Sequence, residues 1–400
     1  MAEAEHTPAA HPVDELIGAD AAALSRQLQA LRARLFPPSA EKELRRFTSG
    51  EAARLIGVSD SYLRQLSLAG EGPQPEVGAG GRRLYSLAQI NGLRQHLAAQ
   101  GGAKAREYAP GRQGGEGLQV LAVANFKGGS GKTTTSAHLA QYLALMGLRV
   151  LAVDLDPQAS LSALFGVQPE FDVGPGETLY GALRYDGERR PLADIIRKTY
   201  FDGLDLVPGN LELQEFEHTT PKVLSGAGKG TAFFTRVAAA LAEVEADYDV
   251  VVIDCPPQLG FLTLSALCAA TGLVVTVHPQ MLDIASMNQF LFMASDLLSV
   301  VREAGADLSF DFLRYVVTRH EPADGPQAQI VGFLRAIFGE RVATATVLKS
   351  TAVADAGLSK QTLYEVGREN FTRQTYERAI ESIDAVNAEI FGLMRQAWGR

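Results

Sequence analysis

A glycine-rich stretch at residues 125–134, NFKGGSGKTT, has the residue types of a phosphate-binding loop. An apolar run precedes it and a helical pattern begins at Lys132, which is the setting that such a loop requires. The glycines let backbone N–H groups converge on phosphate oxygens, and the helix N-terminus adds partial positive charge. The candidate nucleotide contacts are Gly128, Gly129, Ser130, Gly131, Lys132, Thr133 and Thr134.

The loop departs from the usual pattern, G-x-x-x-x-G-K-[ST], at its first position. Phe126 stands where glycine is expected, and Lys127 follows it. Lys132 is expected to reach the β- and γ-phosphates of a nucleotide, and Thr133 to hold Mg²⁺ through its hydroxyl. A second stretch, SGAGKGT at 225–231, lacks both a preceding strand and a Ser or Thr after its lysine, so we interpret it as a flexible loop.

Three aspartates follow predicted strands where a nucleotide hydrolase needs acids. Asp154 and Asp156 lie in DLDPQ, and Asp254 lies in IDCPP after the run YDVVV. The carboxyl ends of parallel strands meet at one edge of a sheet, so all three should lie beside the phosphate loop. Asp254 is the candidate Walker B acid for Mg²⁺, with Asp154 as a further candidate metal ligand. The sequence therefore predicts a site for the phosphates of a nucleotide and for Mg²⁺.

The elements that position these residues alternate between strands and helices from residue 118 to the end. The predicted strands are nearly continuous apolar runs, which indicates a sheet that is buried on both faces. We therefore expect an α/β fold, a doubly wound and mostly parallel P-loop NTPase domain over 118–400. One of its helices is predicted across 231–246 and another near 283–300.

Two further elements precede this domain. Residues 1–12 are expected to be disordered, and a helix follows from Val13 to Leu35, before Pro37 and Pro38. Its apolar stripe could pack on the next domain or pair with a second chain, and we favour a dimerisation helix within residues 1–40. The stripe consists of Leu16, Ile17, Leu24, Leu28, Leu31 and Leu35.

Residues 41–100 predict a winged helix-turn-helix. Thr48 and Glu51 form a capping box, Gly57 makes the turn, and Ser59 caps a second helix. Two short strands around a glycine-rich tip form the wing, similar to the MerR type, and residues 101–117 are a glycine-rich linker. A small protein-binding domain is the alternative, but the basic wing favours DNA. The candidate DNA contacts are Ser61, Tyr62, Arg64, Gln65, Arg82 and Arg83.

The charge distribution fits a local rather than a general DNA surface. The net charge is −9. Residues 41–106 contain ten Lys/Arg and six Asp/Glu, which is a local +4, so the remainder carries −13. The two cysteines, Cys255 and Cys268, fit a reducing cytoplasm and exclude a disulfide framework. No uninterrupted apolar run of membrane-spanning length and no signal segment is visible.

K-G-G-S-G-K-T-T, D-L-D-P-Q and I-D-C-P-P together resemble the deviant Walker A ATPases of the ParA/MinD group. The resemblance implies that two subunits clasp two ATP molecules face to face. It also implies that Lys127 crosses to the partner's nucleotide and that Asp156 polarises the attacking water. Thr318 and Arg319 correspond to positions near the adenine.

The layout, and the segments at 281–291, 318–339 and 347–390, are similar to the large plasmid partition ParA proteins, in particular the RepA proteins of repABC plasmids. This implies a homodimer in the cytoplasm that is associated with the nucleoid, autorepression at an operator, and stimulation of hydrolysis by a ParB- or RepB-type centromere-binding partner. It also implies non-specific DNA binding through the ATPase domain. The candidate contacts are Lys349, Lys360, Arg368 and Arg373, which could equally be solvated charges.

Two alternatives remain open from the sequence. One is a transcriptional repressor that uses the nucleotide as a co-ligand, although Asp156 favours hydrolysis. The other is a MinD-like ATPase that cycles on membranes through its C-terminal helix. The polar face of that helix mixes acidic and basic residues, which favours core packing and no membrane contact.

Overall fold

The computed structural model describes residues 12–35, 42–102, 104–226 and 233–400. The chain divides into two compact units, Met1–Lys42 and Glu43–Arg400. Two expectations, the disordered start at 1–12 and the flexible loop at 225–231, fall almost entirely outside the described residues.

Within the described residues of the first unit there is one helix, α1, at Val13–Leu35, as the apolar spacing predicts. Asp14 and Glu15 lie in its first turn, where the partial positive charge of the helix N-terminus favours acidic side chains. The apolar side chains Leu16 and Ile17 are exposed. Its role in dimerisation stays a prediction.

The second unit begins with a three-stranded antiparallel sheet in the order β1-β3-β2, surrounded by three helices. The Thr48–Glu51 capping box is present, and Gly57 ends the first of these helices in the left-handed conformation, so the predicted turn is confirmed. Ser59 caps the next helix through its side chain. The elements are β1 Phe47–Thr48, α2 Ser49–Ile56, α3 Asp60–Ala69, β2 Glu76–Val77, β3 Arg83–Tyr85 and α4 Leu87–Ala99.

The large sheet has seven strands in the order β10-β9-β4-β8-β5-β7-β6. Every neighbouring pair is parallel except β6 with β7, at one edge. The predicted α/β P-loop domain with a mostly parallel sheet is therefore confirmed. Its strands are β4 Gln119–Ala124, β5 Val150–Asp154, β6 Arg197–Lys198, β7 Leu204–Val207, β8 Val250–Asp254, β9 Gly272–Val277 and β10 Phe312–Val317.

Helices cover both faces of this sheet, and alternate strand residues join two separate cores. Leu121 and Val123 belong to one core, whereas Val120 and Ala122 belong to the other. The helices are α5 Ala105–Tyr108, α6 Lys132–Leu145, α7 Ser160–Leu164, α8 Pro169–Asp172, α9 Leu179–Leu183, α10 Gln214–Ser225, α11 Arg236–Ala242, α12 Phe261–Ala269, α13 Met281–Glu303, α14 Gly325–Phe338, α15 Thr351–Leu358 and α16 Arg373–Ala397.

The helix predicted across 231–246 is shorter than expected. The α-helix α11 covers Arg236–Ala242, with single 3₁₀ turns at Phe233–Thr235 and Glu245–Asp247. The prediction joined these three pieces because their apolar spacing is continuous, while the hydrogen-bonding pattern changes between them.

The C-terminal helix α16 packs into the core, as its mixed polar face predicts. Tyr376, Ile383 and Ile390 along its stripe are buried, as is Met394. Trp398, just after the helix, donates its indole N–H to the carbonyl oxygen of Gly117 at 2.9 Å. These contacts use the apolar residues that a membrane-binding helix would have to expose.

Helix α13 is the one helix in the described ranges that is long and apolar enough to cross a bilayer by length and composition. Met287 and Phe290 of α13 are buried, and Asp283 in its first turn is 5% exposed. We interpret it as a helix that covers the sheet, because both its core contacts and its buried charge belong to the α/β body.

The predicted linker at 101–117 is bound to the α/β body over much of its length. It contains α5, and Arg112 pairs with Glu245 at 3.0 Å. Near its end, Glu116 pairs with Arg400 at 2.7 Å. The glycine content of this segment indicates a linker, but it does not predict these ion pairs, because their partners lie far away in the sequence.

Candidate functional site

Strand order brings the predicted phosphate loop and the three predicted aspartates to one edge of the sheet. β4, which leads into the loop, pairs with β8, and β8 pairs with β5. Val123 stands opposite Asp254, and Asp254 stands opposite Asp154. The two acids are therefore neighbours at the carboxyl ends of adjacent strands, as predicted.

The loop takes a conformation that requires glycine. Gly129 and Gly131 have φ of 79° and 88°, in the left-handed region where side chains are disfavoured. Asn125 at its start accepts a hydrogen bond from the N–H of Lys127 at 3.1 Å. Ser130 is buried, with its hydroxyl 3.0 Å from that of Thr276 on β9. The loop is thus fixed to strand β9.

Thr318 and Arg319, which the resemblance placed near the adenine, lie against this loop. The Thr318 hydroxyl donates to the carbonyl oxygen of Ser130 at 2.7 Å, and Thr318 is buried. The Arg319 guanidinium donates to the carbonyl oxygen of Gly129 at 3.4 Å from an exposed position. Both residues support the loop in this conformation, and their contact with a base stays a prediction.

Lys132 is buried at the start of α6. Its ammonium donates to the carbonyl oxygen of Lys127 at 3.2 Å, so the two lysines of the loop are linked. Burial lowers the pKa of Lys132, while the nearby carboxylates of Asp254 and Asp156 act to raise it. An ammonium that is largely desolvated and faces two carboxylates suits a polyanionic ligand.

Asp254 is fully buried, and only one of its two carboxylate oxygens is hydrogen-bonded within the described residues. Its Oδ1 accepts from the Ser136 hydroxyl at 3.0 Å, whereas its Oδ2 has no hydrogen-bond partner in that part of the chain. Burial, followed by the neighbouring Asp154 carboxyl, raises the pKa of Asp254, and a hydrogen bond from Thr133 opposes this. A free carboxylate oxygen beside a Thr hydroxyl is a donor set that Mg²⁺ accepts.

No group of three or more His, Cys, Asp or Glu within the described ranges could hold a metal ion. A complete protein cage for a metal is therefore not present there. Mg²⁺ at nucleotide sites characteristically uses one or two protein oxygens and takes its remaining ligands from phosphates and water. Thr133 and Asp254 fit that pattern.

Asp154 is more fully hydrogen-bonded than its predicted metal role suggests. Its Oδ2 accepts from the N–H and the hydroxyl of Ser162, at 2.8 and 2.7 Å, and its Oδ1 accepts from the N–H of Asp156 at 3.2 Å. These bonds favour a positioning role, in which Asp154 orients the loop that carries Asp156. Asp156 itself is partly exposed, and its carboxylate accepts from the N–H of Gln158 at 2.9 Å.

Lys127, the additional lysine of the loop, forms an ion pair within its own chain. Its ammonium lies 2.8 Å from Oδ2 of Asp283, in the first turn of α13. The lysine side chain is 37% exposed and the aspartate side chain 6% exposed. Lys127 is therefore directed to a neighbouring helix, at the rim of the site.

The predicted DNA contacts of residues 41–100 share one exposed location. On α3, Leu63 and Leu66 are buried, whereas the predicted contacts are exposed: Ser61, Tyr62, Arg64 and Gln65. Arg82 is exposed in the turn between β2 and β3, and Arg83 donates to the Ser67 hydroxyl of α3 at 3.3 Å. The basic turn and α3 are therefore joined.

The predicted phosphate contacts Lys349, Arg368 and Arg373 in the C-terminal quarter lie beside acidic side chains. Arg368 and Arg373 both pair with Glu377, at 3.4 and 2.9 Å, and Lys349 pairs with Glu321 at 2.8 Å. Lys360, the fourth, has φ of 51°. Exposed pairs of this kind contribute little to stability and can exchange for other anions.

Sequence reasoning missed Ser136, Thr276 and Asp283. Ser136 lies one helical turn after Lys132, and this spacing could have indicated that both face Asp254. Asp283 lies in the segment MLDIASMNQFL, which served only as evidence of resemblance. No local signal pairs it with Lys127, because 156 residues separate them.

Apolar side chains are exposed directly beside the Lys127–Asp283 pair. Met281 and Leu282 are 71% and 77% exposed at the start of α13. A cavity of about 970 Å³ continues from Met281 between α13 and α14, and its lining includes Ile284, Ile330 and Phe333. Apolar surface of this extent commonly marks a contact with another macromolecule.

Comparison with known proteins agrees with this geometry. Residues 118–303 match the family model described as an AAA domain. A protein of Rhizobium rhizogenes with the provisional name replication protein A is 58% identical over 94% of this chain and 94% of its own length. Protein SopA of Escherichia coli strain K12 is 31% identical over 90% of this chain and 92% of its own length.

A solved structure described as a partition protein has a similar fold over nearly the whole chain. It superposes with a TM-score of 0.62 and 16% sequence identity, and it covers 96% of this chain and 99% of its own. At this identity the likeness concerns the fold.

Proposed function

The chain belongs to the ParA/SopA family of partition ATPases, and we propose that it segregates plasmid DNA through an ATP-dependent cycle of dimerisation and DNA binding. Proteins of this family bind ATP and form ATP sandwich dimers. The observation that carries the proposal is the position of Lys127, which lies at the rim of its own site, directed to α13. We propose that this lysine acts on a nucleotide held by a second copy.

The face beside Lys127 supports dimerisation. Met281 and Leu282 expose apolar surface next to it, and a second copy would cover that surface. A cation supplied by the partner works like an arginine finger, which is worth roughly 10³–10⁵ in rate. ATP binding and dimerisation then become one event.

In each subunit, residues of the same chain bind the nucleotide and polarise the water molecule that attacks its terminal phosphate. The backbone N–H groups of 128–133 hold the phosphates, and Lys132 moves from the Lys127 carbonyl onto them. Thr133 and Asp254 would hold Mg²⁺, which neutralises the charge that develops on the phosphate oxygens. Asp156, which Asp154 holds in place, polarises the attacking water.

We assign residues 43–100 as a winged helix-turn-helix that binds the protein's own operator. The exposed polar row on α3 and the attached basic turn support this assignment. A helix that presents Arg64 and Gln65 can donate to base edges in the major groove, while Arg82 contacts phosphate. Occupation of the operator represses transcription of the operon.

Non-specific DNA binding and a stimulating partner complete the proposed cycle. Lys349, Lys360, Arg368 and Arg373 supply cationic groups, and DNA phosphates could replace the acidic partners Glu321 and Glu377. A ParB- or RepB-type centromere-binding protein stimulates hydrolysis and releases the dimer. We propose that the protein acts in the cytoplasm, on the nucleoid.

A nucleotide-responsive repressor without a role in segregation is the second candidate. One observation favours it: a buried hydrogen bond from Arg94 of α4 to Leu145 joins residues 43–100 to α6, the helix of the phosphate loop. Single-turnover ATP hydrolysis, with and without a centromere-binding protein and DNA, separates the two candidates. Stimulated turnover that releases the protein from non-specific DNA supports partition, and nucleotide binding without turnover supports the repressor.

A further inference from the structure

Asp283 and Lys127 form an ion pair that the proposed dimer must break. The lysine ammonium lies 2.8 Å from Asp283 Oδ2, and the aspartate is almost fully buried. In the proposed dimer the same ammonium contacts a phosphate held by the second copy, away from Asp283. The two positions of Lys127 are therefore competing states of the same side chain.

The main chain of Lys127 is held as well as its side chain. Lys132 donates to its carbonyl oxygen at 3.2 Å, and its N–H donates to Asn125 at 3.1 Å. A bound nucleotide attracts Lys132 to its phosphates, which removes the first of these bonds. ATP thereby loosens the segment that carries Lys127 before a partner arrives.

The site can release the lysine without leaving Asp283 isolated. Asp283 lies in the first turn of α13, where the helix N-terminus favours a negative charge. His278 Nδ1 is 3.9 Å from the same carboxylate oxygen. These neighbours make the pair reversible, in contrast to a buried ion pair with no other support.

We propose that Asp283 is a positioning residue that holds Lys127 in its own subunit until ATP is bound. The proposal rests on the sandwich dimer described above, and it adds an intramolecular restraint on that dimer. The restraint limits dimerisation and basal ATP turnover in the absence of partner protein, because each subunit must break one ion pair to complete the other subunit's site.

Asp283→Asn tests the proposal, since asparagine keeps the shape and removes the charge. The full-length protein is followed by sedimentation velocity with ATP and Mg²⁺ over a range of protein concentrations, together with basal ATPase rates. We expect the variant to dimerise at about tenfold lower concentration than the wild type and to hydrolyse ATP several-fold faster. Asp296→Asn, an exposed site on the same helix, is the matched control and should behave as wild type.

Failure of the restraint and failure of the proposed function give different results. Equal dimerisation of Asp283→Asn and the wild type, or weaker dimerisation of the variant, overturns the restraint. A wild type that does not dimerise with ATP, or a Lys127→Ala variant that still does, contradicts the proposed function itself. If Asp283→Asn does not fold, as judged by its melting temperature, Asp283→Ser replaces it, and Asp283→Glu should restore the restraint because it keeps the charge.

Discussion

The guanidinium of Arg94 donates a hydrogen bond to the carbonyl oxygen of Leu145 at 2.6 Å, and the same group donates to the carbonyl oxygen of Leu55. Arg94 is only 4% exposed, and burial lowers its pKa to about 10, so it remains charged at neutral pH. Leu145 ends α6, which begins at Lys132. The buried guanidinium of Arg94 therefore joins residues 43–100 to α6, the helix that follows the phosphate loop.

Arg94→Met should destabilise the protein, because it leaves the carbonyls of Leu55 and Leu145 buried without their donor. We expect a loss of about 2–4 kcal/mol in the free energy of unfolding. Urea denaturation measures it. Arg54→Met is the control, since Arg54 is exposed on α2, and a loss of equal size there would contradict the assigned role of Arg94.

Lys132→Ala should abolish nucleotide binding, because the phosphates lose their central cation while the fold keeps its core. A fluorescent ATP analogue in equilibrium titration gives the affinity. Lys229→Ala is the matched control: it removes the lysine of SGAGKGT, whose sequence context does not predict a phosphate site. Reduced binding in the control would place a nucleotide contact in that second stretch.

The affinity for Mg²⁺–ATP should rise with pH. Burial and the adjacent Asp154 raise the pKa of Asp254 in the nucleotide-free protein, and a metal ion must displace the proton that Asp254 then holds. Affinity should increase up to about tenfold per pH unit until this carboxyl is ionised, and then level off.

The same group should make the nucleotide-free fold less stable as pH rises. A carboxyl whose pKa is raised on folding retains its proton better in the folded state, so stability falls as the pH rises from the ordinary aspartate pKa of 3.8 towards the folded-state pKa of about 8, and then levels off. Titrations from about pH 4 to about pH 9 would measure both effects. Asp254→Asn should weaken the pH dependence, with Asp154, whose pKa burial also raises, as the remaining source. An unchanged profile would exclude Asp254 as a source.

Arg64→Ala should weaken operator binding by about 1–3 kcal/mol while leaving ATP hydrolysis unchanged. Arg64 is exposed in the middle of α3, far along the chain from the phosphate loop. Fluorescence anisotropy with a fragment of the promoter region, and with a scrambled fragment, separates sequence-specific from general binding. Equal losses on both fragments would indicate a phosphate contact only.

The residues fall into two groups by how far their contacts extend along the chain. The Thr48–Glu51 capping box and the glycine conformations of the loop depend on neighbours within a few residues, so local spacing predicts them. The meeting of Asp154 with Asp254 follows from strands that end at one sheet edge. These features could be predicted because each depends on one element or on a general rule of parallel sheets.

Other contacts depend on how elements that are distant in the sequence pack together, so the spacing of residues along the chain does not predict them. Asp283 meets Lys127 only because β9, which precedes α13, pairs directly with β4. Arg94 reaches Leu145 because α4 and α6 share one core. The helix predicted across 231–246 was too long, because continuous apolar spacing does not show where α-helical hydrogen bonding gives way to 3₁₀ turns.

The action of Lys127 on the other subunit's nucleotide is tested most directly by mixing two variants. Lys127→Ala keeps Asp156, and Asp156→Ala keeps Lys127, and each variant alone should lack turnover. In a mixed dimer one site combines the intact Asp156 of one chain with the intact Lys127 of the other. Each mixed dimer then has one complete site of its two, so the recovered ATPase rate should rise with the fraction of mixed dimers, up to about half of the wild-type rate. No recovery, when mixed dimers are shown to form, would contradict the account, because a lysine that served its own subunit would leave both sites incomplete.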